Sequence, residues 1–436
     1  MQLQRRRVLA LGAATALGGC SLFQGDDEVK IEGTRKPVLL LEDSLQPDPT
    51  LSEVKVQLPP AVTNPSWPQL GGNAAHNPGH LAASGSFNQV WSADIGDGGR
   101  LLSGPIVADG RVYTIDADNT VSAFAVNDGK QVWEYEPEDI EENDRLLGGA
   151  LAWDGGRLHV ALTVGWVVTL DAAGGKEIWR AALGAPIRAA PTVIEGKLLV
   201  ATADNQLVAL DSATGQALWR HAGAFEQAGI LGGAAPAADQ GIAVVAYSSG
   251  DVYALELASG TPLWNDAILR PRRTVAIGSI NDISGDPVID GDRVIVAGAG
   301  GETVAFDLRR GDRVWNVEVA SNQTPWTASE VVYVLSERNE LVCLLQQGGR
   351  VRWVTALEVV ADPEDQTSER VLWSGPVLVG ERLLLASSQG QIVSVSPYTG
   401  EIMGRQEADG PITTPIAVAE GSVYFLTDKG DLLAYR

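Results

Sequence analysis

Residues 191–221 read Pro191-Thr192-Val193-Ile194-Glu195-Gly196-Lys197-Leu198-Leu199-Val200-Ala201-Thr202-Ala203-Asp204-Asn205-Gln206-Leu207-Val208-Ala209-Leu210-Asp211-Ser212-Ala213-Thr214-Gly215-Gln216-Ala217-Leu218-Trp219-Arg220-His221. Four short apolar runs are separated by three turn signals. Pro191–Ile194, Lys197–Thr202, Gln206–Asp211 and Gln216–His221 have strand length and composition. Glu195-Gly196, Ala203-Asp204-Asn205 and Ala213-Thr214-Gly215 are turns, and Gly215 supplies the positive φ that the last one needs. Trp219, four residues after that glycine, lies on the outermost strand, where a large flat side chain can pack on a neighbour. Four antiparallel strands per repeat are the make-up of a propeller blade.

The same Gly-x-x-x-Trp signature recurs at Gly129-Trp133, Gly175-Trp179, Gly260-Trp264, Gly311-Trp315 and Gly349-Trp353, and a degenerate copy has Gly404 four residues after Gly400. The tryptophans are 46, 40, 45, 51 and 38 residues apart, so the loops vary around a fixed unit. Seven repeats run from about Ser103 to Ala408. Three further strands follow, at 414–418, 422–426 and 431–435, and the chain stops without a fourth. Upstream, Gln89-Val90-Trp91-Ser92-Ala93-Asp94 is a lone strand with Trp91 where a fourth strand would carry it. A blade cannot bury both faces alone, and a ring removes the exposed edges of a terminal blade. The expectation is an all-β, eight-bladed β-propeller of four-stranded antiparallel blades over residues 86–436, closed by the N-terminal strand completing the C-terminal blade. A seven-bladed ring would leave one of these segments unpaired. Trp91, Trp133, Trp179, Trp219, Trp264, Trp315 and Trp353 are read as structural docking residues without chemistry.

The chain of 436 residues has a net charge of −23, and without the three arginines of its first 19 residues it carries −26. Such a surface repels nucleic acid and anionic lipid headgroups, which excludes nucleic-acid partners. Two cysteines build no disulfide framework. Cys343, within Leu341-Val342-Cys343-Leu344-Leu345, reads as a small core residue.

The start of the chain has another character. Gln4-Arg5-Arg6-Arg7 precedes an apolar run from Val8 to Gly19, which is too short for a mature membrane span and has the length of a signal h-region. Leu17-Gly18-Gly19-Cys20 resembles a bacterial lipobox, which implies cleavage after residue 19 and lipidation of Cys20. An ordinary signal peptide with an incidental cysteine is the alternative. Ser21, rather than Asp, follows the cysteine, and by resemblance to Gram-negative lipoproteins this favours the outer membrane. The Arg pair also admits twin-arginine export. Acyl chains anchor a protein without any membrane-binding surface on the propeller. Residues 20–85 read as a lipid-anchored tether; within them Gln24 to about Ser66 is polar, acidic and proline-bearing, and as a flexible coil of about 45 residues would average roughly 35–40 Å end to end. Val38-Leu39-Leu40-Leu41 is an apolar island inside it.

No catalytic or metal constellation stands out. His76 and His80 are separated by Asn77-Pro78-Gly79, which breaks any helix that could present them together. HExxH, GxSxG, P-loop and CxxC motifs are absent. The acidic runs 136–144 and 362–369 fall between blades and read as solvated surface. The repeat Ala209-Leu210-Asp211-Ser212-Ala213-Thr214-Gly215 to Trp219 resembles the tryptophan-docking repeat of pyrroloquinoline-quinone dehydrogenases, which raises an enzymatic rival. Against it stand the absence of an adjacent cysteine pair and of an insert able to cap a cofactor. The reading is a non-enzyme with no cofactor and no metal.

The lipobox followed by Ser21-Leu22-Phe23, the tether and the eight docking-type blades together resemble the BamB-type lipoproteins of the outer-membrane β-barrel assembly machinery. So does the segment Ile280-Asn281-Asp282-Ile283-Ser284-Gly285-Asp286-Pro287-Val288-Ile289-Asp290-Gly291, which is similar to the family's acidic loop after its longest inter-blade connection. The resemblance implies a scaffold at the periplasmic face of the outer membrane that binds the POTRA region of a BamA-type subunit, with unfolded outer-membrane proteins as possible clients. It implies two partner-binding loops. In Ala228-Gly229-Ile230-Leu231-Gly232-Gly233-Ala234-Ala235-Pro236, Ile230 keeps the family's apolar role and Leu231 stands where the family has Arg. In the second loop Asp282 keeps the first of two acids and Ser284 replaces the second. The residues support the same loops independently: the longest tryptophan spacing contains Arg270, Arg272 and Arg273, a basic cluster in an acidic chain, and apolar residues beside sign-reversed charge suit a protein interface. A salt-bridged structural loop is the alternative reading, and a propeller lipoprotein with another envelope partner is the alternative function.

Overall fold

The computed structural model describes residues 45–83, 87–100, 102–138, 149–224, 232–268, 283–299 and 301–436. Their strands form eight four-stranded antiparallel sheets. Blades I to VII are consecutive in the chain, at 106–135, 149–182, 192–222, 237–267, 288–317, 326–356 and 373–407. Blade VIII combines 417–435 with Gln89–Asp94, which pairs antiparallel with Asp431–Tyr435 from Gln89↔Tyr435 to Asp94↔Asp431. The ring therefore closes as the sequence indicates, and the strands at 89–94, 422–426 and 431–435 have the expected limits. The innermost strand of blade VIII is shorter than expected, Ala417–Ala419. Thr414, expected within it, instead donates its hydroxyl to Leu426 O at 2.7 Å.

Each tryptophan of the signature reaches into the next blade. The indole Nε1 of Trp91 donates to Val126 O, Trp133 to Ala172 O, Trp219 to Leu257 O, and Trp315 to Gln346 O, at 2.7–3.1 Å. Trp179, Trp264 and Trp353 do the same with Ser212, Leu308 and Pro397. The glycine of the signature has two duties. Its φ lies between +64° and +77° in all seven turns, a region costly for other residues. Its missing Cβ also makes room for the preceding blade's indole: a Cβ on Gly260 would sit 2.5 Å from Trp219 Cε3. Across the sheet, each ring lies beside a small residue of the third strand, as in Ala209↔Trp219 and Cys343↔Trp353. Cys343 is buried, and burial pushes its thiol well above the ordinary range.

Gly404 stands where blade VII would carry its tryptophan. Blade VIII ends its third strand at Tyr435 and takes its fourth from the N-terminal strand, so it has no outer hairpin turn and offers no glycine shelf. The missing tryptophan thus matches a missing receptor. At that seam Phe87 packs on Tyr435 with ring centroids 5.2 Å apart, and the Arg382 guanidinium lies 5.8 Å from the Phe87 ring.

The boundary expected at residue 86 moves. Leu45–Arg436 is one compact unit, so 45–83 is part of the propeller body rather than tether. Residues 48–54 follow the outer strand of blade VI, where Asp48 N–H donates to Val351 O at 2.8 Å. The chain then turns inward and circles the hub. Asn64 meets blade VIII at Val418 O, Trp67 pairs with Val107 of blade I, and Pro68 O accepts from Trp153 N–H of blade II. Gln69 Oε1 accepts from Val193 N–H of blade III, Ala74 O from Ala238 N–H of blade IV and Ala75 O from Ile289 N–H of blade V. Gly79 O accepts from Trp326 Nε1 of blade VI, and Leu81 bridges to Val379 of blade VII. Leu81 also bridges in parallel to Val62, so the circle returns to its own start. Innermost strands would otherwise leave their inner edge unpaired; this strap satisfies one point on every blade. His76 and His80 are buried in it, facing the carbonyl oxygens of Pro287 and of Pro59 and Gly380.

His159 makes stability depend on pH. Its ring is buried in blade II, with Nδ1 2.7 Å from Thr169 Oγ1, and burial lowers its pKa to about 4. The unfolded chain takes up a proton near the ordinary value of about 6.5, so it binds more protons than the folded chain between the two values, and stability falls as pH falls through that window. His159→Asn is expected to remove about 2 kcal/mol of the stability difference between pH 7 and pH 5, read from urea midpoints of variant and parent at both pH values. An equal pH slope in the two proteins would refute this.

Candidate partner-binding surface at the channel mouth

Every blade enters the ring at its innermost strand and leaves at its outermost one. The inter-blade connections and the turns between second and third strands therefore share one face, opposite the strap. The two candidate loops are such connections, III to IV and IV to V, on adjacent blades. Ile230, Leu231, Arg270, Arg272, Arg273 and Asp282 lie outside the described residues, as does Cys20. Ser284 is described, and so are Gly232 and Gly233, where the first loop rejoins the ring.

These three residues line a common cavity of about 520 Å³ on the propeller axis. All eight blades contribute to its wall, for example Ser103, Thr163, Ala189, Ser248, Thr324 and Thr413. Leu70 of the strap also lines it. Leu70 of the strap thus lines the channel together with the residues at which both candidate loops rejoin the body.

Asp286 fixes the junction of three blades there. Its carboxylate accepts from Ala235 N–H at 2.6 Å and from the Thr324 hydroxyl at 2.9 Å, tying blade V to the entries of blades IV and VI. Burial pushes its carboxyl above the ordinary range, against these donated bonds and the nearby His76. Gly285 crosses so close to blade VI that a Cβ would lie 2.6 Å from Gln323 O. The segment after the second loop is therefore held firmly. Ser284 is half-buried, and its hydroxyl is enclosed without a hydrogen-bond partner among the described residues. Asp286 was missed in the sequence reading because nothing local marks an aspartate whose partners are 51 and 38 residues away. Among the described residues no three His, Cys, Asp or Glu side chains gather into a metal-binding group. The acidic run 362–369 is exposed apart from half-buried Ser368, and Glu369 pairs with Arg100 at 2.8 Å.

The family model described as outer membrane protein assembly factor BamB matches residues 82–145, 139–355 and 360–436. The outer membrane protein assembly factor BamB of Salmonella typhimurium is 25% identical over 443 residues, covering 100% of this chain and 99% of that protein. The crystal structure of BamB from Moraxella catarrhalis superposes with a TM-score of 0.67 at 19% identity, covering 80% of this chain and 99% of that one. The quinohemoprotein alcohol dehydrogenase of Comamonas testosteroni reaches a TM-score of 0.66 at 15% identity over 86% of this chain and 81% of its own, a likeness of fold alone. With the family model spanning nearly the whole ring, the chain belongs to the family of the outer membrane protein assembly factor BamB.

Proposed function

We propose that this chain is a non-catalytic scaffold of the outer-membrane β-barrel assembly machinery, held at the periplasmic face of the outer membrane by lipid on Cys20. It docks through the inter-blade loops 225–231 and 269–282 on the periplasmic POTRA region of the barrel-forming subunit. Ile230 and Leu231 supply the apolar contact, and Asp282 with Arg270, Arg272 and Arg273 the charged one. Ser284 sets the base of the second loop. Family membership supports the assembly role. The observation that carries the docking surface is the shared anchorage of both loops at one mouth, on blades IV and V, which Asp286 locks together. A rigid base presenting two adjacent loops limits the ordering entropy that binding must overcome. The channel itself is wall and scaffold in this reading.

The test is affinity capture from detergent-solubilised membranes. The parent chain should retain the barrel-forming subunit, and Asp282→Arg combined with Ile230→Glu should lose it while its circular-dichroism melt stays unchanged. Capture of other envelope proteins without that subunit would sink the proposal, and a lost melt in the variant would make the loops structural.

A further inference from the structure

Of the twelve tryptophans only Trp166 is exposed, at 40%. It opens the third strand of blade II, Trp166–Asp171, opposite Ala182, the last residue of the fourth strand. Five other blades open their third strand at the same register, on Gln206, Asp251, Glu340, Gln391 and Asp431. All five are polar and half-buried. The position calls for a side chain that tolerates water, and the repeat elsewhere supplies one. Tryptophan there leaves much of a large apolar ring in solvent.

The ring is nevertheless held in place. The Arg180 guanidinium lies 6.0 Å from its centroid. Glu177 fixes that guanidinium through two bonds of 2.9 and 2.7 Å, and Tyr135 of blade I donates its hydroxyl to Glu177 Oε2 at 2.6 Å. A cation–π contact and a bidentate ion pair thus position the indole. The two charges offset each other, so its platform is neutral. The turn before Trp166 is tied to the docking mouth. Gly165 O accepts from Leu183 N–H at 2.9 Å and Thr163 O from Ile187 N–H at 3.2 Å, both in the connection from blade II to blade III. Arg188, next in that connection, packs so closely on Gly233 that a Cβ there would overlap its guanidinium. Gly233 is where the first docking loop rejoins the ring. Thr163 also lines the channel with Gly232, Gly233 and Ser284. Trp166 therefore stands on the face that carries both loops, linked to the base of the first by a continuous set of contacts.

We propose that Trp166 is a third contact for the barrel-forming subunit, a fixed aromatic anchor that receives an apolar side chain of its periplasmic region. This rests on the docking reading above and extends that surface to blade II. Tryptophan and arginine are enriched among the residues that dominate protein interfaces. A ring already ordered by Arg180 loses little freedom on binding. The neutral platform suits an apolar partner group rather than a charged one.

Trp166→Gln installs the residue that blades III and VII carry at this register, so the variant should keep the parent's melt. In calorimetric titration of the mature chain with the isolated POTRA domains, Trp166→Gln should weaken binding at least about tenfold. Trp166→Phe should weaken it less, and Gln391→Ala on blade VII should leave it unchanged. Equal affinity of Trp166→Gln and parent would overturn the proposal and leave the two loops standing. A melt lowered by Trp166→Gln, with Trp166→Phe restoring melt and affinity together, would also overturn it, because the ring would then serve the fold. A parent that binds no POTRA domain would refute the docking reading and this contact with it.

Discussion

Replacing Trp67 by alanine is expected to destabilise the protein by about 3–5 kcal/mol. Trp67 is 3% exposed and stacks on Trp326 with ring centroids 6.4 Å apart. Its backbone bonds to Val107 in both directions, at 2.6 and 2.8 Å. One residue therefore joins the strap to blade I through its backbone and to blade VI through its ring. Its loss leaves a cavity that the strap cannot fill by collapsing, because neighbouring strap residues are fixed on blades VIII and II. Gly72 adds to the cost of disturbance, since its Cβ position is 2.7 Å from the Trp67 ring. Urea unfolding of parent and variant measures the effect. A midpoint shift corresponding to less than about 1 kcal/mol would mean that the strap lies on the ring without holding it.

Gly260→Ala is expected to cost about 3 kcal/mol, from a left-handed backbone and from overpacking against an indole. The added methyl would meet Trp219 at 2.5 Å, and that ring is fixed by its bond to Leu257 O. Gly404→Ala is the control. It occupies the same relative position as the docking tryptophans, has no positive φ and has nothing within 4 Å of a Cβ. There the substitution should be neutral or stabilising by up to about 1 kcal/mol. Equal losses at the two positions, measured by urea midpoints, would mean that neither the left-handed turn nor the contact with the indole sets the cost at the signature glycine.

The ring was legible in the sequence because its contacts are local and repeat. Each blade pairs strands a few residues apart, and each tryptophan meets a glycine of the following repeat, so the signature occurs six times with a degenerate seventh copy. Closure was legible because Trp91 precedes the first repeat without strands of its own. The strap was not legible. Its residues touch each blade about once, at separations of up to 356 residues, so it has no period, and its Pro, Asn and Gly content is that of a linker. Trp67 was the available signal: a tryptophan outside the Gly-x-x-x-Trp register, in a stretch read as tether. At the candidate surface, spacing irregularity pointed to the loops. Asp286, which holds their bases together, left no local trace because a buried aspartate satisfied by distant donors looks like any loop acid.

The most direct measurement is calorimetric titration of the mature chain with the isolated POTRA domains of the barrel-forming subunit. A single saturable site is expected, weakened at least about a hundredfold by Asp282→Arg with Ile230→Glu, as for central residues of an interface. Equal affinity of parent and variant, or no binding by the parent, would contradict docking through the two loops.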